Sequence, residues 1–300
     1  MLNILIPSYN HARYIEEAIA SARRIGLPGQ RIIVIDDAST DDSVDVVTAY
    51  LKREGSEGIE LVTKPVNRGA VDSVHMFLSM CRTEYVYFMA SDDVVVPEGI
   101  TALVGMLQAN PGLQFAIGGG FNLFPNGARS PIYGPKHSQF FAMTCHVRRK
   151  ALFLDCPSPI LCQSSVFRLG AINAVGGFDK SLVADDYALF TKLFLRYDSE
   201  GSDFAYVPET PCVLYRHHGV NSYHNLRRQA LATRQVLDTL APRALRARAV
   251  GYMLAYYALV ALRRADFLAT RDILKMVQAL ESPWFAAGLV RSSLKKLLSI

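Results

Sequence analysis

The feature that most restricts the fold of this chain is the alternation of short apolar runs with helical patterns over its first 118 residues. The runs have the length and apolar content of buried strands, and they span residues 2–6, 31–35, 59–63, 85–89 and 113–117. Apolar residues at helical spacing fill the intervals at 11–24, 44–51, 71–80 and 97–110. This order predicts a doubly wound α/β layer with a mostly parallel sheet, in which ligands bind beyond the carboxyl ends of the strands.

The alternation of strand-like and helical segments ends at residue 118, and three further regions follow. Residues 119–160 lose the alternation and are rich in Gly, Pro and aromatic residues, so we predict an irregular segment that covers a cleft. Residues 161–216 predict a strand, a helix over 184–196 and short β segments, and the chain is helical from Leu226 onward. We therefore expect one α/β domain over 1–225, with halves at 1–118 and 119–225, and a helical region over 226–300.

Composition excludes several classes of protein. Half of the 300 residues are apolar and 20% are charged, which suits a packed core and not a disordered chain. Five cysteines without a Cys-x-x-Cys pair argue against a disulfide framework or a four-cysteine zinc site, and they favour a reducing compartment. No signal-type segment is indicated, and the longest apolar run, 249–262, is shorter than the roughly 20 residues of a membrane span.

Two acidic clusters follow the second and fourth strand-like runs. Asp36-Asp37 has the chemistry to hydrogen-bond a base or ribose or to bind a cation, and Ser91-Asp92-Asp93 follows a very apolar run. Adjacent carboxylates at such a place are costly unless they are paired or bound to metal, and a divalent cation there would bridge a diphosphate. The alternative for both clusters is capping of the helix that follows.

Two further segments carry candidate chemistry. Asp185-Asp186 lies near the start of a helix, where a carboxylate is a candidate general base towards a hydroxyl, or simply complements the helix dipole. Arg216-His217-His218 is a basic loop that would hold phosphate or complete a metal site, or else is a solvated turn. Gly118-Gly119-Gly120 lacks dinucleotide-binding spacing, and neither a P-loop nor a Gly-x-Ser-x-Gly elbow occurs.

Taken together, these segments resemble the family 2 glycosyltransferases of the GT-A fold. The resemblance rests on motifs in the family's order and spacing across residues 1–225. They are Ile6-Pro7-Ser8-Tyr9-Asn10, Asp36-Asp37-Ala38-Ser39-Thr40-Asp41, Asn67-Arg68-Gly69, Met89-Ala90-Ser91-Asp92-Asp93, Gly176-Gly177-Phe178-Asp179, Asp185-Asp186-Tyr187 and Tyr215-Arg216-His217-His218.

The resemblance implies an inverting transfer of a sugar from a nucleotide diphosphate sugar, a UDP-sugar by preference, to a hydroxyl acceptor in bacterial polysaccharide or glycolipid assembly. It implies a nucleotide site made of Pro7, Tyr9, Asn10, Asp36, Asp37, Asn67, Arg68, Ser91 and Asp92. It implies Mg²⁺ or Mn²⁺ held by Asp92, Asp93 and His218, and a base at Asp186 with Asp185 beside it. The chain departs from the family pattern at Ala90, where the metal motif has its first acidic residue, and at Asp185, where the family has Glu.

The rival hypotheses are a nucleotidyltransferase and a catalytically silent module that binds sugar nucleotides or membranes. The nucleotidyltransferase is disfavoured because the first strand-like run leads into Ser8-Tyr9-Asn10-His11 and not into a Gly-rich loop with a basic residue. Ala90 keeps the silent module open, whereas Asp92, Asp93 and Asp186 argue against it.

The last 75 residues are strongly basic, with a net charge of +9 against −4 for residues 1–225. Arg291, Lys295 and Lys296 flank an apolar stripe on a predicted final helix, which suits an anionic membrane surface on the cytoplasmic side. The alternative is that these helices pack on the catalytic domain or form a homodimer, and no nucleic-acid-binding motif is present. The stripe consists of Trp284, Phe285, Leu289, Leu294, Leu297 and Leu298.

Overall fold

The computed structural model describes residues 1–157, 159–182, 186–219 and 224–298, with side chains up to 293. Its first half contains the predicted strands as parallel neighbours in the order β3-β2-β1-β4. The strands are β1 (Leu2–Ser8), β2 (Arg31–Asp36), β3 (Ile59–Thr63) and β4 (Tyr85–Phe88). The helices between and after them are α1 (Ile15–Arg23), α2 (Ser43–Glu54), α3 (Ala70–Met80) and α4 (Pro97–Ala109).

The second half extends the sheet with mixed directions. The full order is β3-β2-β1-β4-β8-β6-β9-β5, where β8 runs antiparallel to both β4 and β6, and β7 pairs with β6. The added strands are β5 (Val94–Val95), β6 (Phe115–Leu123), β7 (Arg129–Pro131), β8 (Ser165–Arg168) and β9 (Phe204–Arg216). The helices are α5 (Pro135–Phe141), α6 (Cys145–Leu154), α7 (Leu169–Ala174) and α8 (Asp186–Arg196), and a 3₁₀ turn spans Cys162–Ser164.

The expectation of an irregular segment over 119–160 is wrong in large part. The segment contains the end of β6, the strand β7 and the helices α5 and α6. Its aromatic residues are core residues, since Tyr133, Phe140 and Phe141 are almost completely buried. They contact the rings of Phe194, Phe204 and Tyr206, mostly edge to face or tilted. Apolar burial, and not a loose covering role, explains the composition of this segment.

The three consecutive glycines of β6 let β9 lie unusually close. The β6–β9 pairing is parallel, and its register shifts between Gly118 and Gly119 and again between Gly119 and Gly120. A Cβ atom at Gly119 would lie 1.9 Å from the carbonyl oxygen of Pro208, and one at Gly120 would lie 2.4 Å from that of Val213. The glycines therefore fix the path of β9, whose end carries Arg216 towards the edge of the sheet where β1 and β4 finish.

Four helices form the C-terminal region: α9 (Leu226–Leu240), α10 (Arg243–Arg263), α11 (Phe267–Lys275) and α12 (Ser282–Leu298). The apolar core on one face of the sheet continues into them, because Phe194 and Phe204 belong to the same buried cluster as Leu237 and Leu254. The proposed boundary at residue 225 stays a prediction, and the hydrophobic core crosses it without a break.

Candidate active site

The loops after β1 and β2 are tied together by side-chain hydrogen bonds. Asn10 adopts a left-handed backbone with φ 54°, and its side-chain oxygen accepts from the amide of Thr40 at 2.8 Å. The amide of Asn10 donates to the hydroxyl of Ser39 at 2.9 Å. Ala38, also left-handed at φ 59°, occupies a position that glycine adopts with less strain. These bonds fix the floor of the cleft beyond the sheet edge.

Asp36 and Asp37 have different surroundings. The Asp36 carboxylate accepts from the amide of Ser39 at 2.8 Å and from its hydroxyl at 2.5 Å, so it shapes its own loop. The Asp37 carboxylate accepts from the amide of Arg68 at 2.9 Å and from that of Gly69 at 2.6 Å. Its Oδ1 also lies 2.6 Å from the ammonium of Lys64, which is buried. Asp37 thus joins the β2 loop to the loop that precedes α3.

The other predicted nucleotide-site residues surround this junction. Pro7 is half-buried near the end of β1, and the Tyr9 ring that follows is 44% exposed beside the loop. Asn67 and Arg68 are exposed, and the Asn67 side chain accepts from the amide of Gly69 at 3.2 Å. The exposed Tyr9 ring offers a flat face on which a base can stack. Their roles in binding a nucleotide stay predictions.

Two histidines and one aspartate converge a short distance away. One ligand atom from each of His11, Asp92 and His218 lies within 4.8 Å of the others. Nε2 of His218 is 2.7 Å from Oδ2 of Asp92, and Nδ1 of His11 is 2.6 Å from Oγ of Ser91. Burial lowers the pKa of His11, with the Asp92 charge acting in the opposite direction. Two imidazoles and a carboxylate form a donor set for a divalent cation.

The cluster is braced by α1 and by the end of β9. The Tyr14 ring stacks on His218 with centroids 5.1 Å apart, and the guanidinium of Arg216 lies over Tyr14 at 5.3 Å. Nε of Arg216 donates to the carbonyl of Asp92 at 2.8 Å, and its Nη2 pairs with Glu17 at 2.6 Å. These contacts hold β9 against the loop that carries Asp92.

Asp93 was predicted to ligate the metal, and it lies outside the cluster found among the described residues. It is buried, and its Oδ1 accepts from the amide of Arg216 at 2.9 Å. Burial raises the pKa of Asp93 well above its usual range, and the neighbouring Asp92 charge adds to this. The geometry therefore gives Asp93 a role in fastening β9, and a direct metal contact stays untested.

Asp186 begins α8 and points back to the 3₁₀ turn. Its Oδ2 accepts from the amide of Cys162 at 3.3 Å. The next residue of the turn, Gln163, accepts through its carbonyl from the hydroxyl of Tyr87 at 2.8 Å. Because Tyr87 lies on β4, the turn connects Asp186 to the strand that leads into Asp92. Asp185, the second predicted catalytic residue, lies outside the described residues.

Sequence reasoning did not single out His11 as a site residue. Ser91, which was predicted to bind the nucleotide, is buried with its hydroxyl against Nδ1 of His11, and its role towards a nucleotide stays a prediction. His11 carries a signal that was overlooked, since it follows the first strand and so lies at the same sheet edge as Asp92 in any parallel arrangement. Its backbone is also fixed, because its amide donates to the hydroxyl of Ser43 at 2.9 Å.

In its described part, the predicted membrane stripe of α12 contacts other parts of the protein. Phe285 and Leu289 are half-buried, and the Cβ of Trp284 would be 2.7 Å from a Cβ added at Gly251 on α10. Arg291 pairs with Asp155 at 2.8 Å. The side chains of Leu294, Lys295, Lys296, Leu297 and Leu298 lie outside the described part. Within the described residues, none of the helices is both long and apolar enough to cross a membrane.

Comparison with known proteins gives a consistent set of relatives. A family model described as Glycosyl transferase family 2 matches residues 3–159, more than half of the chain. The poly-β-1,6-N-acetyl-D-glucosamine synthase of Staphylococcus epidermidis is 22% identical over 215 residues, which cover 70% of this chain and 50% of that protein. The chondroitin synthase of Escherichia coli is 24% identical over 64% of this chain and 26% of its own. The chain spans no more than half the length of either relative.

Solved structures share the architecture at low identity. TarS residues 1–349 of S. aureus, in complex with UDP-GlcNAc, superposes with a TM-score of 0.60 at 17% identity, covering 96% of this chain and 79% of that one. The mannosyltransferase PcManGT from Pyrobaculum calidifontis, in complex with GDP-Man and Mn²⁺, gives 0.59 at 18% identity over 99% and 86%. Identities this low show a common fold and leave the ligands of this chain open.

Proposed function

This chain belongs to glycosyl transferase family 2 and has the expected GT-A fold, and from that membership we propose that it transfers a sugar from a UDP-sugar to a hydroxyl of a glycan. The observation that carries the proposal is the gathering of Asp37, Asp92 and His218 along one edge of the sheet, with Asp186 connected to the same strand. Polysaccharide assembly is the proposed setting, in keeping with the poly-N-acetylglucosamine and chondroitin synthases.

The donor is proposed to lie across the loops that Asn10 and Asp37 hold in place. Tyr9 presents an exposed ring to the base, and Asp37 retains acceptor capacity on Oδ2, which accepts a hydrogen bond from the amide of Gly69 at 2.6 Å. A ring N–H of uracil is a suitable donor to that oxygen. Binding energy from these contacts places the diphosphate towards Asp92.

The residues present fit a divalent cation such as Mn²⁺ or Mg²⁺. Asp92 and His218 offer a carboxylate oxygen and an imidazole nitrogen that lie 2.7 Å apart. A cation bound there neutralises charge that develops on the departing diphosphate. Arg216 positions both ligands, since it bonds the backbone of the loop that carries Asp92 and precedes His218 in the chain.

Asp186 is the proposed general base. Its carboxylate takes the proton of the acceptor hydroxyl while the hydroxyl oxygen forms a bond to the anomeric carbon, and the bond from that carbon to the diphosphate breaks on the opposite face. The anomeric configuration inverts because one displacement occurs. The turn over Cys162–Ser164 holds Asp186 relative to β4, which keeps the base and the proposed cation site in register.

The donor class is tested first by calorimetric titration of UDP, GDP and dTDP, each with and without Mn²⁺. We expect UDP to bind most tightly, with Mn²⁺ strengthening the binding and with the effect of Mn²⁺ lost in Asp92→Ala. Failure of all three nucleotides to bind would contradict the proposal.

The reaction is tested by release of UDP from a panel of UDP-sugars with oligosaccharide acceptors. Asp186→Asn should lower kcat at least about 100-fold, because it removes the base, while leaving the dissociation constant of UDP unchanged. Full activity in Asp186→Asn would remove the assigned base. UDP binding without transfer by the wild-type protein would favour the catalytically silent module.

An anionic membrane surface is the proposed second partner, through α11 and not through the stripe on α12. Phe267 and Leu268 are 70% and 68% exposed at the start of α11. Arg263, Arg264 and Arg271 are exposed in the same stretch of chain. Exposed large apolar side chains among basic ones suit the interface of a bilayer that contains anionic lipid.

Flotation with phosphatidylserine-containing and phosphatidylcholine-only vesicles tests this surface. The double variant Phe267→Ser, Leu268→Ser should lose binding to the anionic vesicles, whereas Val290→Ser, at an exposed valine of α12, should retain it. Equal binding of all three proteins, or binding by none, would contradict the membrane proposal. The homodimer stays a prediction, to be checked by sedimentation.

A further inference from the structure

His11 contacts the segment in which the metal motif lacks its first carboxylate. The first acidic position of the metal motif is Ala90, and the residue beside it, Ser91, holds the His11 ring by the 2.6 Å contact to Nδ1. The ring reaches the neighbourhood of Asp92 and His218 from the opposite loop, so that all three ligand atoms lie within 4.8 Å.

We propose that His11 is a third metal ligand and that it changes the metal preference of the site from Mg²⁺ to borderline ions such as Co²⁺ and Zn²⁺. This inference rests on the proposed function for its location and adds both a ligand and a selectivity. The ligand set becomes two nitrogens and one carboxylate oxygen. Imidazole favours transition metals, whereas Mg²⁺ prefers oxygen ligands and gives up its water reluctantly.

The geometry is close to that of a bound ion. Ligands about 2.1 Å from a metal are about 3.0 Å apart when adjacent and about 4.2 Å apart when opposite. All three ligand atoms lie within 4.8 Å of one another, about 0.6 Å beyond the separation of opposite ligands, so side-chain movements of that size would bring them around one ion. The 2.7 Å contact between His218 and Asp92 is a hydrogen bond, which a cation bound by both side chains would replace.

The His11 ring is also held in the way that metal-ligating histidines are held. The 2.6 Å contact between Nδ1 and Oγ of Ser91 holds the ring, and in the tautomer that carries its hydrogen on Nδ1 the lone pair lies on Nε2. The main chain is anchored on both sides of the ring, because the amide of His11 donates to Ser43 and the amide of Ala12 donates to Asp41 at 3.1 Å. Because Ser43, Asp41 and Ser91 hold this segment in place, the His11 ring loses little conformational entropy when it binds an ion.

The first test measures metal binding alone, without nucleotide. Calorimetry with Mg²⁺, Mn²⁺, Co²⁺ and Zn²⁺ should give the weakest affinity for Mg²⁺, and His11→Ala should weaken Co²⁺ and Zn²⁺ binding at least about 10-fold. Ser91→Ala should also weaken Co²⁺ and Zn²⁺ binding, since Ser91 positions the His11 ring. His146→Ala, at an exposed histidine on α6, is the matched control and should bind like the wild type.

Pulsed EPR of bound Mn²⁺ gives an independent readout, because it detects the nitrogens of coordinating histidines. The wild type and His146→Ala should show two coupled histidine nitrogens, and His11→Ala should show one. His11→Asp supplies an oxygen ligand in place of nitrogen, so its affinity for Mg²⁺ relative to Zn²⁺ should rise at least about 10-fold.

The inference is overturned if His11→Ala keeps both nitrogen couplings and wild-type affinity for Co²⁺ and Zn²⁺. It is equally overturned if the wild type binds Mg²⁺ as tightly as Zn²⁺. Circular dichroism of each variant establishes that it is folded. Because these measurements need neither donor nor acceptor, a failure of the proposed transfer reaction leaves their result intact and is recognised separately.

Discussion

Adding a single methyl group at Gly119 should damage both the stability and the metal site of this protein. In Gly119→Ala the new Cβ would lie 1.9 Å from the carbonyl oxygen of Pro208, whereas ordinary contacts begin near 3.4 Å. Backbone of β9 must therefore move by more than 1 Å to reach even the closest tolerated separation of 3.0 Å. Such a shift distorts the ladder between β6 and β9, both of which lie in the core.

The expected loss is about 3 kcal/mol, the upper part of the range for overpacked cores, because the obstacle is backbone and not a flexible side chain. For a protein of this size that corresponds to a fall in melting temperature of roughly 5 °C. The affinity for Mn²⁺ should fall as well, since β9 leads directly to His218. Thermal unfolding followed by circular dichroism and calorimetric Mn²⁺ titration measure the two effects.

Gly105→Ala is the matched control, with the same chemical change and the opposite expected sign. Gly105 is exposed within α4, and a Cβ there would have no neighbour within 4 Å. Replacement of glycine by alanine inside an exposed helix stabilises by about 1 kcal/mol. The reasoning would be refuted if Gly119→Ala melted within about 2 °C of the wild type and bound Mn²⁺ equally well.

Three smaller perturbations test other parts of the molecule. Tyr9→Ala should raise the dissociation constant of UDP about 10-fold through loss of stacking, and an unchanged titration curve would remove Tyr9 from the base site. Ala38→Gly should raise the free energy of unfolding by about 0.5–1 kcal/mol in urea titration, because it relieves the left-handed backbone at φ 59°; a decrease would count against strain there. Glu281→Ala should cost about 2 kcal/mol in thermal unfolding, since Arg234, whose side chain is 11% exposed, loses its 2.7 Å partner and keeps Asp238 at 3.2 Å as an ion pair; no change would mean that the remaining contacts are sufficient.

The parts of the fold that the sequence predicts well are those set by local pattern. The β-branched runs at 31–35 and 59–63 became β2 and β3 with boundaries within a residue of those predicted. Each run is followed by a turn signal, and each helix has an apolar face at regular spacing. Pattern of this kind depends on neighbouring residues alone, and so it can be read without knowing the tertiary structure.

The parts that were mispredicted depend on contacts between distant segments. The aromatic residues of 119–160 have no clear period, and Phe141, at the end of α5, packs on Phe204 and Tyr206, which are more than 60 residues away. The reason for three consecutive glycines becomes clear only from the position of β9 beside them. The sequence left two alternatives for the stripe on α12, a membrane surface or packing within the protein, because it does not reveal that α10 lies against Trp284.

The candidate site shows the same division. Asp37, Asp92 and His218 were identified through motifs, and the structure places each of them at the sheet edge. His11 was missed because a lone histidine after a strand is common, and only its 2.6 Å contact to Ser91 reveals what it faces. The metal contact expected of Asp93 stays a prediction: Asp92 and Asp93 look equivalent in the sequence, whereas the structure buries Asp93 and bonds it to the amide of Arg216.

The neighbouring positions of Asn10 and His11 have a consequence for the length of ligand that the cleft accepts. Asn10 is bonded to the loop that carries Asp37, and His11 reaches the loop that carries Asp92. One peptide unit, about 3.8 Å between Cα atoms, therefore connects the proposed nucleoside site to the proposed cation site, and neither loop can shift without the other. The distance between the two proposed sites is therefore fixed. We expect a donor with a single phosphate to bind poorly because it is too short to reach both, whatever base or sugar it carries.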